Sequence, residues 1–160
     1  MTNLNAAAIS VEPGTPADIP SFRQLFSDVV LHSGEYYSNL QLQAWVTAAT
    51  NDAYWSTILN TNHFLKAILS NQLIGFASYT FQGEVDHLYV LPHFQQCGVG
   101  TLLLQQIELQ AKAQQIRLLK TDASLFSRNL FRKMGFQTIQ VYEKSFAGAR
   151  FINTRMEKVL

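Results

Sequence analysis

The chain has 160 residues, 48% of them hydrophobic and 14% charged, with a formal net charge of +1 and one cysteine. That length suits a single domain over residues 1–160 with a sizeable core. The balance excludes a basic nucleic-acid-binding stripe and a like-charge disordered tail, and the lone Cys97 excludes an internal disulfide framework and suits a reducing compartment.

The opening MTNLNAAAIS lacks the charged and long apolar regions of a signal peptide, and no later apolar run is long enough for a bilayer. A cytoplasmic protein without a membrane partner is expected. A first strand is predicted over 7–12. Thr15-Pro16-Ala17-Asp18 then offers a hydroxyl N-cap, a proline at the first helical position and an acid in the first turn, opening a helix to about Leu31. Ser38-Asn39-Leu40-Gln41 reads as a capping box for a second helix through Trp45, and a short helical piece follows over 52–59.

From His63 the period changes. Runs over 64–69, 73–81 and 84–91, separated by Ser70-Asn71-Gln72 and by Gln82-Gly83, predict an antiparallel meander. After Gly98, Leu103, Ile107 and Ala111 share one helical face, and a strand over 116–123 completes a β–α–β unit whose strands should be parallel. A helix over 125–134 ends at Gly135, and strands over 136–146 and 150–159 form a hairpin through Ala147-Gly148. The expected fold class is α/β, an α+β mixed sheet of six to seven strands with about four helices.

Between the meander and the leucine-rich helix stands Tyr89-Val90-Leu91-Pro92-His93-Phe94-Gln95-Gln96-Cys97-Gly98-Val99-Gly100. Helix N-termini carry unpaired N–H groups and bind phosphate, and Gly98 and Gly100 leave room for a ligand to approach. No Lys or Arg lies between Leu91 and Gln110, so backbone amides and the helix dipole would hold a phosphate here. Three readings compete. The loop is a plain strand-to-helix turn, a dinucleotide site, or a pyrophosphate cradle for a coenzyme A thioester. Against the second, Leu103 stands where a third glycine belongs, although Asp122 lies at a plausible strand end. No Gly-Lys-Ser/Thr follows, which excludes a P-loop.

Gln95-Gln96-Cys97-Gly98-Val99-Gly100 resembles the Gln/Arg-x-x-Gly-x-Gly/Ala motif of the GNAT (Gcn5-related) N-acetyltransferases. His87-Leu88-Tyr89-Val90-Leu91-Pro92 resembles that family's approach to the loop, and Phe131-Arg132-Lys133-Met134-Gly135-Phe136 its closing Tyr-x-x-x-Gly-Phe. Tyr37-Ser38, Gln41, Ala44-Trp45, Trp55, Ala123-Ser124 and the ending Arg155-Met156-Glu157-Lys158-Val159-Leu160 are similar to the small bacterial YafP-like branch. The resemblance covers nearly the whole chain and implies the GNAT acyl-CoA N-acyltransferase fold. It also implies acetyl-CoA as co-substrate, no metal, and a primary amine of a small molecule or peptide as acceptor. The resemblance further implies transfer by direct attack in a ternary complex.

Residue by residue, the resemblance implies that Leu88, Tyr89 and Val90 meet the pantetheine arm, with an N–H near Tyr89 or Val90 polarising the thioester carbonyl. Gln95, Gln96, Cys97, Gly98, Val99, Gly100 and Thr101 take the pyrophosphate. Glu84 falls where one branch carries its base, and Asp86, two residues on, shares that strand face, so both are catalytic candidates. His87 is expected to face the other way as a packing or hydrogen-bonding residue. Leu125 stands where the family often has a cofactor-contacting asparagine, and Ser124 is its stand-in. Phe131, counted with the cofactor-binding residues, replaces a tyrosine that often acts as general acid, so that role does not carry over, and Tyr89 and Tyr142 are the substitutes to consider. Cys97 is given no nucleophilic role.

The acceptor side is expected from the first two helices and the last hairpin, with His32, Tyr36, Tyr37, Trp45 and Trp55 mostly in the core. An alternative to the enzyme is a non-catalytic acyl-CoA-binding regulatory module, which the missing Phe131 hydroxyl favours. A toxin–antitoxin or stress-linked partner protein has no independent support in the residues. The acceptor's identity and the oligomeric state, a homodimer included, are open at this level.

Overall fold

A computed structural model describes residues 8–160. Ala7, the expected start of the first strand, lies outside the described residues. In chain order the elements are β1 (Ile9–Pro13), α1 (Ile19–Leu31), α2 (Asn39–Ala49), α3 (Asp52–Thr61), β2 (Asn62–Leu69), β3 (Gln72–Thr80), β4 (Val85–Val90), α4 (Val99–Ala113), β5 (Leu118–Ala123), α5 (Arg128–Lys133), β6 (Gln137–Phe146) and β7 (Ala149–Val159). Among the described residues the mixed α/β expectation therefore stands, with seven strands and five helices.

Local chemistry explains most boundaries. Ser38 Oγ accepts the Gln41 N–H at 3.3 Å while the Ser38 N–H reaches Gln41 Oε1 at 2.8 Å, the reciprocal capping box expected of that stretch. The helix it opens continues past Trp45 to Ala49. The helix expected over 125–134 starts later, at Arg128. Ser127 N–H donates to Ser124 Oγ and Ser124 N–H to Ser127 Oγ, both at 3.1 Å, a reciprocal pair that forms the turn leading into the helix, and the Arg128 N–H donates to the Ser124 carbonyl at 3.0 Å.

The strands form two antiparallel sheets, ordered β1-β2-β3-β4 and β5-β7-β6. Two buried clusters flank the first. On one face Phe22 of α1 stacks on Phe76 at 4.7 Å and on Phe64 at 5.6 Å. On the other, Leu103, Ile107 and Ala111 of α4 are fully buried, as their steps of four require. Each such leucine or isoleucine stabilises the fold by about 1.5–3 kcal/mol.

The β–α–β expectation needs one correction. β4 and β5 do run parallel, yet their backbones pair only through the Glu84–Lys120 bridge just ahead of β4, where the Lys120 N–H donates to the Gly83 carbonyl at 2.9 Å. Beside it Thr121 Oγ1 donates to the Val85 carbonyl at 3.0 Å. Beyond that point no ladder joins them. The cause lies in β4 itself. Ser78 pairs His87 and Tyr79 pairs Val85, so Asp86 is an extra residue, a β-bulge. A bulge bends its strand and increases the local twist, which turns β4 away from β5 and opens a cleft between the sheets.

Candidate active site

The cleft has a volume of about 410 Å³. Residues of β4 form one wall, while Thr121, Asp122, Ser124 and Phe131 form the opposite one. Helices α1 to α3 contribute an apolar end that includes Val29, Val30, Trp45 and Ile58.

β4 is the last strand of its sheet, so one edge of it faces the cleft. Leu91 N–H donates to the Ile74 carbonyl at 2.9 Å, toward β3. By strand alternation the Tyr89 N–H also points to β3, and the Leu88 and Val90 N–H groups point to the open edge. The Val90 carbonyl on that edge accepts Gln95 Nε2 at 2.9 Å. Gln95 thus braces the loop onto the strand from outside.

The loop then turns sharply. Gln96 has φ +58° and Gly98 φ +87°, the latter as the residue preceding α4. The Leu102 N–H donates to the Gly98 carbonyl at 3.0 Å, so the amides of Val99, Gly100 and Thr101 precede the first bond of the helix ladder. A side chain at Gly98 would enter open space over the loop, whereas one at Gly100 would lie 2.7 Å from Leu130 Cδ2 of α5. Gly98 therefore leaves room at the loop, whereas Gly100 is needed for packing against α5. Cys97 Sγ donates to the Gln95 carbonyl at 3.3 Å, a bond within the turn.

The two carboxylates expected on β4 have different surroundings. Glu84 receives both Arg155 guanidinium nitrogens, at 2.6 and 2.9 Å, and Arg155 also reaches Asp122 at 3.3 Å. Asp86 accepts Asn62 Nδ2 at 2.7 Å and opens into the cleft. Desolvation by the cleft walls raises its pKa above the usual carboxylate value, and the Glu84 and Asp122 charges add to this. Asn62 and Lys144 oppose it.

His87 does not point away from Asp86, because the bulge breaks the alternation on which that expectation rested. Val85 and Leu88 both pack toward α4, although they are three apart, while His87 lines the cleft and stacks on Trp55 at 5.7 Å. It is a buried hydrogen-bonding histidine as expected. Its Nδ1 lies 2.7 Å from Ser78 Oγ and its Nε2 2.8 Å from Tyr54 Oη. Burial pushes its pKa down to about 4, so the ring is neutral at pH 7.

Two participants escaped the sequence reading. Tyr54, on α3, lines the cleft, and burial followed by the Asp86 charge pushes its pKa up to about 12. Asn62 opens β2 and joins Asp86 to Ser78. No local signal marks either residue, since each acts across a tertiary contact.

The other candidates divide. Tyr89 lines the cleft, edge-on to Phe26 at 4.6 Å, and burial raises its pKa. Tyr142 is outside the cleft lining; desolvation raises its pKa, and hydrogen bonding to Asp122 adds to this. Phe131 is 2% exposed and packs edge-on to Phe136 at 5.1 Å, with its ring at the cleft wall. Ser124 lines the cleft with its hydroxyl 3.0 Å from that of Ser127. Of the five acceptor-side residues expected, Trp45 lines the cleft. Trp55 and Tyr37 are core residues, and the Tyr37 hydroxyl accepts the Leu125 N–H at 3.0 Å. Tyr36 is exposed and pairs with Phe126, while His32 caps α1 by bonding the Asp28 carbonyl.

Comparison with known proteins matches this geometry. Residues 34–160 fit the model of the acetyltransferase (GNAT) domain. The chain is 28% identical over 149 residues to the uncharacterized N-acetyltransferase YafP of Escherichia coli strain K12, covering 92% of this chain and 94% of that protein. Among solved structures, a GCN5-related N-acetyltransferase from Rhodopseudomonas palustris superposes with a TM-score of 0.89 at 31% identity, covering 94% of this chain and 95% of the other. The PaiA N-acetyltransferase of Thermoplasma acidophilum, solved in complex with coenzyme A, shares the fold with a TM-score of 0.74 at 18% identity, over 95% of this chain and 99% of its own.

Proposed function

Because this chain belongs to the GNAT acetyltransferase family, we propose that it transfers an acetyl group from acetyl-CoA to a primary amine of a small molecule or peptide, by direct attack within one ternary complex. The observation that carries this reading is the bulge-driven parting of β4 from β5, which leaves an open strand edge between a glycine loop and a carboxylate. A working place in the cytoplasm fits the expected reducing compartment of Cys97.

The residues fit a coenzyme A thioester. The amides from Gly98 to Thr101 and the α4 dipole suit the pyrophosphate, with Gln95, Gln96 and Cys97 shaping the turn. The Leu88 and Val90 amides suit the pantetheine arm and the thioester carbonyl, and the Tyr89 ring and Ser124 complete the walls. Asp86 takes the proton that the amine must lose to become a nucleophile. Glu84, fixed by Arg155, acts on the same proton from a distance by raising the Asp86 pKa. Nitrogen bonds to the carbonyl carbon as the carbon–sulfur bond breaks, and the thiolate takes its proton from water.

Phe131→Tyr tests that last step. With water as the proton source, the restored hydroxyl should change turnover by less than the roughly hundredfold that general acid catalysis contributes. If the new oxygen finds no partner beside Phe136, stability should fall by about 1–3 kcal/mol. Turnover and melting temperature are to be measured on the same variant; a large rate gain at unchanged stability would mean that the natural protein lacks an acid it could use, and a large loss of rate from Tyr89→Phe or Tyr142→Phe would argue against water as the proton source.

The absent Phe131 hydroxyl also favours a second reading, a module that binds acyl-CoA without turnover. Release of free coenzyme A thiol in the presence of a panel of amines separates the two. Amine-dependent release is expected; tight acetyl-CoA binding with no release from any amine would favour the regulatory module.

A further inference from the structure

We propose that Tyr54 is a specificity-determining hydrogen-bond donor in the acceptor half of the cleft, its hydroxyl turned outward by the buried Ser78–His87 pair, and that the acceptor is an apolar primary amine with a neutral oxygen close to its nitrogen, such as a β-amino alcohol or an α-amino amide. This inference rests on the acetyltransferase reading above.

The direction of the Tyr54 hydroxyl follows from counting donors. The Thr61 hydroxyl has two acceptors in reach, Asn62 Oδ1 at 2.8 Å and the Thr57 carbonyl at 3.3 Å, and the amide is oriented by the Asp86 carboxylate, which accepts and so faces Nδ2. Both hydrogens of Asn62 Nδ2 are then used, on Asp86 Oδ2 at 2.7 Å and on Ser78 Oγ at 3.1 Å. Ser78 is fully buried, and its own proton has one acceptor within reach among the described residues, His87 Nδ1 at 2.7 Å. With the proton on Nδ1 instead, the serine hydroxyl would receive two hydrogen bonds and have nowhere to donate, an arrangement that buried hydroxyls avoid. His87 is therefore the Nε2–H tautomer, and that N–H donates to Tyr54 Oη at 2.8 Å. The tyrosine oxygen is satisfied as an acceptor. Its proton is left for the cleft, which Tyr54 lines.

Chain connectivity sets this donor beside Asp86, since His87 is the next residue and the Asp86 charge acts on Tyr54. The acceptor half thus offers an anion for the amine and an O–H for a neighbouring oxygen. Its remaining walls include Val29, Val30, Trp45 and Ile58, which suit an apolar body. The oxygen is neutral for an electrostatic reason. Glu84, Asp86 and Asp122 outnumber the cations Arg155 and Lys144, so a substrate carboxylate would be repelled.

The test compares phenylalaninol and phenylalaninamide with phenethylamine, which has the same ring and amine but no oxygen. In the wild-type protein kcat/KM, taken per neutral amine so that differences in amine basicity drop out, should favour the oxygenated amines by about tenfold or more, the value of one made hydrogen bond. In Tyr54→Phe that ratio should fall to near one, with the loss in KM. A ratio of one in the wild type, or a ratio that survives the substitution, overturns the proposal. Two arms need no turnover. Calorimetric binding of the same amines with coenzyme A present should show the same preference and its loss. Nitrogen-15 NMR should find His87 as the Nε2–H tautomer, and an Nδ1–H ring would overturn the relay. Preferential binding without any coenzyme A release would count against the acetyltransferase reading alone.

Discussion

Asp86→Asn should lower kcat/KM by roughly a hundredfold or more near pH 7, within the range that a positioned general base contributes. The wild-type rate should fall as pH drops through the Asp86 pKa, which its cleft holds above the usual carboxylate value. In the variant the acid limb should move up to the pKa of the free amine. The two profiles should converge where the amine is already neutral. Asn62 can still donate to the new amide oxygen, so the site should keep its shape.

Stability should move differently. Asp86 has a raised pKa in the folded state and an ordinary one in the unfolded chain. Between those values the folded protein binds more protons, so stability falls as pH rises through that window. Above it the ionised carboxylate is held at a cost, and asparagine removes that cost. The variant should therefore melt at or above the wild-type temperature at pH 8 while being much less active. Equal activity across the whole pH range would mean that solvent alone takes the proton.

Gly98→Val should abolish most acetyl-CoA binding. The residue has φ +87°, where a β-branched side chain is strained by about 1–3 kcal/mol. Its Cβ would meet no protein atom within 4 Å, so the added bulk would stand in open space at the loop to which the proposed function assigns the phosphate. Calorimetry should find affinity lower by roughly a hundredfold or more, equivalent to about 2.7 kcal/mol. Near-UV circular dichroism should show the core intact. A folded variant with unchanged affinity would remove the loop from the binding site.

What was legible in the sequence was chemistry that acts over one or two turns. Ser38 and Gln41 are three residues apart and close their own box, and the α4 face follows from a period of four. The glycine loop was readable because it joins a strand to a helix. Long-range effects were not. Nothing near Asp86 announces that two residues of β4 will face one of β3, and that bulge brings Asp86 into the cleft beside His87. Arg155 reaches Glu84 across 71 positions, and Tyr54 reaches His87 across 33. Ahead of α5, Ser124 and Ser127 close a reciprocal box like that of Ser38 and Gln41, although the helix itself starts only at Arg128. Phe131 was legible as a chemical departure, but its packing against Phe136 was not.

On the proposed function, the parted strands β4 and β5 receive acetyl-CoA with its reactive end beside Asp86. A crystal structure of the protein with acetyl-CoA tests it most directly. The pyrophosphate should lie against the amides of Gly98 to Thr101, the pantetheine arm should run along Leu88 to Val90, and the acetyl group should face the Asp86 carboxylate. Coenzyme bound elsewhere, or bound here with its acetyl group turned away from Asp86, would contradict it.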